Sequence, residues 1–110
     1  FTMAADFYPQ RLSTYGITTV VPDPGRRADV HRVIYEELVK GVVREKSRLQ
    51  LVRYLESASA CECDGVILGC TELPLLIRPG DVQMEVFDSA MIHADYALDI
   101  ALGFREICGV

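Results

Sequence analysis

One thiol follows a predicted buried strand, where an α/β protein usually keeps its chemistry. Cys70 comes after the continuous apolar run 66–68 and a glycine, so it lies at the carboxyl end of that strand. Thr71, Glu72 and Pro74 are residues that commonly begin a helix. A helix N-terminus favours the thiolate form of a cysteine, whereas the carboxylate of Glu72 opposes it. The spacing therefore predicts a reactive thiol at Cys70.

Three units of a strand followed by a helix are predicted to position this thiol. The strands are 17–21, 65–69 and 82–87, followed respectively by Pro-Asp-Pro-Gly at 22–25, by a helix from Thr71, and by a helix from Asp88 or Ser89. This alternation predicts an α/β fold, a parallel sheet flanked by helices in a Rossmann-like or flavodoxin-like lobe. Ligands bind at the carboxyl ends of such strands, so we expect a site where the three strand ends meet.

The remaining helices follow from caps and periodicity. A helix is predicted from residue 28 or 29, with Asp29 as its cap, and a kink or break is expected near Gly41. A second amphipathic helix should reach about Ser59. Residues 1–16 open as a helix, with Thr2 as a plausible cap, and no strand precedes them. A parallel α/β unit should begin with a strand, so we expect at least one N-terminal strand to be missing from this sequence.

Length and charge narrow the class of protein. The 110 residues suffice for one domain, so 1–110 is predicted to be a single α/β lobe. The net charge of −5 and the scattered basic residues argue against nucleic-acid binding. No apolar run is long enough to span a membrane and no signal-peptide pattern is found, so a cytoplasmic protein is expected.

The four cysteines are predicted to be reduced thiols. They are Cys61, Cys63, Cys70 and Cys108. A chain with an adequate apolar core and no export signal does not need disulfides. Cys61 and Cys63 lack the usual zinc spacing and have no second Cys/His pair, so no metal site is predicted.

Four motifs together resemble the aspartate/glutamate racemase family, specifically its aspartate racemase branch. The motifs are Thr2-Met3 with Phe7-Tyr8, the EEL-x-x-G segment at 36–41, GVILGCTELPLLI at 65–77, and Phe87-Asp88 with Ile-His-Ala at 92–94. They follow the family order over nearly the whole chain, and ILGCTELPLL is the most specific of them. A cell-wall glutamate racemase would have histidine in place of Glu72, which favours the aspartate or broad-specificity branch.

The resemblance implies a two-lobed enzyme with its active site between the lobes and one cysteine from each lobe. This chain would be the C-terminal lobe, and Cys70 would be one of two bases that remove and return the α-proton of an acidic amino acid. Neither pyridoxal phosphate nor a metal would be needed. The second cysteine would belong to the missing N-terminal lobe, so the chain alone should be inactive. Members commonly form homodimers.

The resemblance also suggests roles for other residues, each with a plainer alternative. Thr2 and Lys40 would bind substrate carboxylates, although a helix cap and a solvated helix-end lysine are the alternatives. Thr71 could bind substrate, cap a helix, or do both. Glu72 and His93 would support the site, whereas His93 could be a hydrogen-bonded core histidine. Asp88 is interpreted as a cap.

Two other functions remain open at this point. A superfamily relative, such as a maleate isomerase or a malonate-type decarboxylase, could use the same cysteine differently. A non-catalytic lobe that only binds an acidic amino acid would keep the fold without turnover. The residue at the matching strand end of the N-terminal lobe, or α-proton exchange by the intact protein, would discriminate among them.

Overall fold

The computed structural model describes residues 2–106. The helices are α1 (Phe7–Ser13), α2 (Pro24–Glu36), α3 (Glu45–Ser59) and α4 (Ser89–Ala101), and the strands are β1 (Gly65–Leu68) and β2 (Glu85–Asp88). Short 3-10 helices cover Thr2–Ala4, Leu38–Lys40 and Leu73–Leu75. Between residues 2 and 106, none of the helices has the length and hydropathy needed to cross a membrane.

The two strands pair in parallel and end together. Gly65 is opposite Glu85, and Leu68 is opposite Asp88. The pairing is close at Gly65, because a Cβ atom there would lie 2.7 Å from the Phe87 ring. The predicted parallel pairing of the second and third units is therefore confirmed, with β2 beginning three residues later than the expected start at residue 82.

The strand predicted at 17–21 is wrong. These residues are assigned to neither strand of the described sheet, which contains only β1 and β2. Ile17, Val20 and Val21 are 47%, 75% and 43% exposed. β-branched residues favour strands because they pack on a half-buried pleated surface, and within 2–106 no neighbouring strand provides that surface.

Helix α2 begins earlier than predicted, because Asp23 is its cap. The Asp23 carboxylate accepts a hydrogen bond from the backbone N–H of Arg26 at 3.0 Å, and Pro24 follows it at the first helical position. Asp29 instead lies inside the helix, where it accepts hydrogen bonds from the side chains of Gln50 and Tyr54. Asp29, which was expected to cap α2, therefore links α2 to α3 by hydrogen bonds.

The break predicted near Gly41 is confirmed. Helix α2 ends at Glu36, a 3-10 helix follows, and Gly41 adopts a left-handed conformation with φ of 72°. Helix α3 ends at Ser59, as expected from the sequence. At the N-terminus, Thr2 belongs to a 3-10 helix, and the cap position of α1 is occupied by Asp6, so Thr2 does not cap that helix.

A core between α2, α3 and β1 supports the end of the first strand. Its buried members come from these elements, from the 3-10 helix Leu38–Lys40 and from the segment after β1: Val33, Leu38, Leu51, Val52, Leu68, Leu76 and Ile77. Leu68 is the last residue of β1, so this core fixes the strand end from which the chain continues to Cys70.

A buried carboxylate fastens α3 to the turn that follows α2. Glu37 is only 4% exposed, and its carboxylate accepts hydrogen bonds from Ser47 Oγ at 2.7 Å and from the Arg32 guanidinium at 3.2 Å. The Ser47 hydrogen bond is the main cause of a lowered Glu37 pKa, and Arg44 and Arg32 act in the same direction against the opposing effect of burial. The charged carboxylate is therefore part of the fold.

Ser47→Ala should destabilise the protein by about 1–3 kcal/mol at neutral pH, because it leaves a buried carboxylate without its shortest hydrogen bond. Since the pKa of Glu37 is lower when folded than when unfolded, this stabilisation is complete above the unfolded pKa. It is lost as the pH falls through the folded pKa, so the difference between wild type and variant should shrink in acid. Urea unfolding measured against pH checks both points.

Ser57→Ala is the matched control for that experiment. Ser57 lies on the same helix, but it is exposed and bonds only to the Arg53 carbonyl one turn away. Its replacement should change the free energy of unfolding by less than about 0.5 kcal/mol. Equal losses in the two variants would contradict a structural role for the buried Glu37 carboxylate.

Candidate active site

The Cys70 thiol lies just beyond the buried end of β1, where it contacts a carboxylate. Gly69 separates it from Leu68, and Cys70 is half-buried. Its Sγ donates a hydrogen bond to Glu72 Oε2 over 2.8 Å. The position predicted for the thiol is therefore confirmed, and a proton acceptor is in direct contact with it.

The α-helix predicted from Thr71 is not formed. The chain instead makes a single 3-10 helix, Leu73–Leu75, preceded by Glu72, whose side chain makes no capping hydrogen bond. Leu76 and Ile77 are both buried, at 1% and 2% exposure. Adjacent residues of an α-helix do not face the same side, so burying both in one core favours leaving the helix early. Thr71 consequently has no helix to cap.

The prediction that the site stabilises the thiolate form of Cys70 is also wrong for the surroundings that residues 2–106 provide. Burial raises the pKa of the Cys70 thiol, and the hydrogen bond to Glu72 and its negative charge raise it further. The backbone N–H groups of Glu72 and Leu73 act in the opposite direction but do not offset this. One turn of 3-10 helix supplies few such donors, so the thiol form is favoured.

Glu72 is correspondingly held as a carboxylate. The hydrogen bond from Cys70 lowers its pKa most, and the side chain of Thr71 lowers it further. Glu72 and Cys70 are both half-buried and Thr71 is exposed. The site thus holds a protonated thiol beside an ionised carboxyl group.

The start of α4 supports the same strand end. Asp88 caps the helix, as predicted, by accepting hydrogen bonds from the N–H groups of Ala90 at 3.0 Å and Met91 at 3.1 Å. Ser89 Oγ donates to the Leu68 carbonyl at 2.8 Å, two residues before Cys70. Sequence reasoning did not assign Ser89 a role. The sequence did contain a signal for this role, because the hydroxyl of Ser89 directly follows the capping residue Asp88 at the end of the neighbouring strand.

Thr2 reaches the site from the other end of the chain. Its Oγ1 lies 3.4 Å from the carbonyl oxygen of Gly69, to which it donates a long hydrogen bond. A Cβ atom on Gly69 would lie 3.3 Å from the Thr2 methyl group, so glycine permits this approach. Thr2, Cys70, Glu72 and Ser89 therefore surround one strand end.

Lys40 and His93 are not connected to this group. Both are exposed, and neither side chain makes a hydrogen bond or ion pair within the described part of the chain. His93 is therefore not a hydrogen-bonded core histidine. The segment 22–25 begins α2 and does not end a strand of the described sheet.

Among the described cysteines, none is joined to the site by a disulfide bond. Cys61, Cys63 and Cys70 are free thiols, as predicted, and Cys108 lies outside the described residues. Across 2–106, no group of three His, Cys, Asp or Glu side chains is arranged to hold a metal ion.

Known proteins share both the sequence pattern and the fold of this chain. The family model of the Asp/Glu/hydantoin racemases matches residues 1–97. A candidate Asp/Glu racemase from Yersinia pestis is 42% identical with a TM-score of 0.86, and an aspartate racemase homologue from Pyrococcus horikoshii OT3 is 45% identical with a TM-score of 0.86. Each match covers 92% of this chain and 44% of the other, so the chain spans less than half the length of these proteins. The predicted α/β fold class is confirmed.

Asp88→Ala should lower the free energy of unfolding by about 0.5–2 kcal/mol, because two N–H groups at the start of α4 lose their acceptor. Asp88→Asn should remain close to wild type, since asparagine caps about as well as aspartate. Thermal unfolding of the two variants checks the assignment. An Asn variant as unstable as the Ala variant would show that Asp88 acts through its charge and not as a cap.

Proposed function

The chain belongs to the Asp/Glu/hydantoin racemase family, and we propose on that basis that the protein containing it is a racemase of aspartate, glutamate or a related acidic amino acid. The observation that carries the proposal is the family match over residues 1–97, which includes Cys70 at the end of β1. The two solved relatives, described as Asp/Glu or aspartate racemase proteins, support the acidic substrate class.

The proposed reaction is a proton exchange at the α-carbon between two bases. One base removes the α-proton from one face of the amino acid, and a group on the other face returns a proton to the same carbon. Cys70 is one of the two, and a cysteine of an N-terminal lobe is the other. Such a reaction needs aligned groups, exclusion of water and donors for the developing negative charge. It proceeds without pyridoxal phosphate or a metal.

Substrate binding is proposed for three residues. Thr2 is supported by its position beside Gly69, and Thr71 by its proximity to Glu72. Lys40 has the charge needed for an anionic substrate, and its ammonium group makes no ion pair within 2–106. His93 is proposed as a supporting residue only, since it is exposed on the first turns of α4.

We also propose a partner lobe, an assembly and a cellular location for this protein. The partner of this lobe is the N-terminal lobe of the same protein, with a homodimer as the expected assembly. The free thiols Cys61, Cys63 and Cys70 suit a reducing compartment, so a cytoplasmic location is proposed.

The intact protein in D2O should exchange the α-hydrogen of aspartate or glutamate and interconvert the enantiomers. Cys70→Ser should reduce interconversion roughly 10²–10⁴-fold or more, because it removes a positioned acid–base group. The loss must appear in both directions, since the equilibrium constant between enantiomers is one. Chiral chromatography and deuterium incorporation at Cα measure the two effects separately.

Cys63→Ser is the control for that variant, since Cys63 is also half-buried but precedes β1, at its opposite end. It should retain wild-type rates. Interconversion by Cys70→Ser at the control rate would remove Cys70 from the mechanism. Binding of aspartate by the intact protein without α-hydrogen exchange would select the binding-lobe alternative.

The 110-residue chain alone should show no α-hydrogen exchange, because half of the proposed two-base pair belongs to the other lobe. Adding the N-terminal remainder of the protein as a separate polypeptide should restore exchange, which separates a missing lobe from a misfolded one. Racemisation by the isolated chain at the rate of the intact protein would contradict the two-lobed arrangement.

A further inference from the structure

The contact between Cys70 and Glu72 requires a function of its own. A thiol donates to a carboxylate two residues away over 2.8 Å, in a site where the proposed reaction needs a cysteine that both gives and takes a proton. A carboxylate that served only to bind solvent would not need to face the sulfur atom. The geometry provides an acceptor for the same proton that Cys70 must exchange.

Building on the proposed function, we infer that Glu72 is a positioning residue that holds the proton on Cys70, so that Cys70 enters the reaction as the proton donor. In the resting protein the pair is therefore a thiol and a carboxylate. The cysteine of the other lobe is then the group that starts as thiolate.

The surroundings of the thiol assign this role to Glu72 and to no other charged group in the described residues. Thr2 and Thr71, the polar neighbours from the N-terminal segment and from the same turn, carry no charge. Asp88, at the end of the adjacent strand, is engaged by two N–H groups of α4. The charge that raises the pKa of Cys70, after burial itself, is that of Glu72.

The proton balance of the reaction is complete with the two cysteines and without a further reactant. When Cys70 donates, its S–H bond breaks, the proton goes to the α-carbanion, and the thiolate remains. The cysteine of the other lobe has by then taken the α-proton and become a thiol, so in the reverse direction the Cys70 thiolate takes the α-proton and that thiol returns one. Glu72 gains and loses no proton in this cycle, and its charge beside the sulfur atom favours the protonated form of Cys70.

The test is the reactivity of Cys70 toward iodoacetamide as a function of pH in the intact protein, with the modified cysteine identified by peptide mass spectrometry. Only the thiolate is alkylated, so the rate reports its population. Glu72→Gln keeps the size of the side chain but removes the charge. Alkylation of Cys70 at neutral pH should become roughly three- to tenfold faster, because a hydrogen bond to a charged group no longer holds the proton.

Glu85→Gln is the matched control. It makes the same change in net charge on β2, opposite Gly65 at the far end of the strands from Cys70. Its alkylation profile should coincide with that of wild type. If Glu72→Gln unfolds at a lower temperature than the control, Glu72→Asp replaces it, since its shorter carboxylate cannot keep the 2.8 Å contact and should move the profile in the same direction.

The kinetic readout separates this inference from the proposed function. In a protein that racemises aspartate or glutamate, Glu72→Gln should move the high-pH limit of kcat/KM downward together with the alkylation profile. An alkylation profile identical to that of Glu85→Gln would overturn the inference while leaving racemisation by Cys70 intact. Faster alkylation in a protein that exchanges no α-hydrogen would establish the contact but overturn its place in the reaction.

Discussion

The parallel register of β1 and β2, with Leu68 opposite Asp88, determines where the site residues lie. A shift by one residue would turn the side chains of one strand to the other face and separate the two strand ends. In the observed register, Ser89 reaches the Leu68 carbonyl, and the chain that leaves β1 passes Thr2 on its way to Cys70. The small size of Gly65 is part of the same constraint, because it allows Phe87 to pack against the strand.

Local signals were sufficient for much of this arrangement. The position of Cys70 after an apolar run, the cap at Asp88 and the break at Gly41 all depend on a few neighbouring residues, and each is found as expected. The errors concern features that depend on distant partners. The strand at 17–21 needs a neighbouring strand, and the α-helix after Thr71 competes with burial of Leu76 and Ile77 in the core. The protonation of Cys70 depends on burial and on how Glu72 turns, which spacing alone does not specify.

The described residues leave much apolar surface uncovered. Helix α4 has no buried residue, although Ile92, Leu98 and other large apolar side chains lie along it. The segment 17–21 is also exposed, and two paired strands form a small sheet. The chain spans less than half the length of its solved relatives, and under the proposed two-lobed arrangement such surface is available to the rest of the protein.

The hydrogen bond from Cys70 to Glu72 also bears on the susceptibility of the thiol to oxidation. Peroxides and other electrophiles attack the thiolate form of cysteine, and oxidation beyond sulfenic acid is essentially irreversible. Burial and the neighbouring carboxylate raise the pKa of the Cys70 thiol, which keeps the thiolate population small between turnovers. A hydrogen bond that holds the proton on Cys70 therefore also lowers the expected rate of oxidation of its sulfur atom.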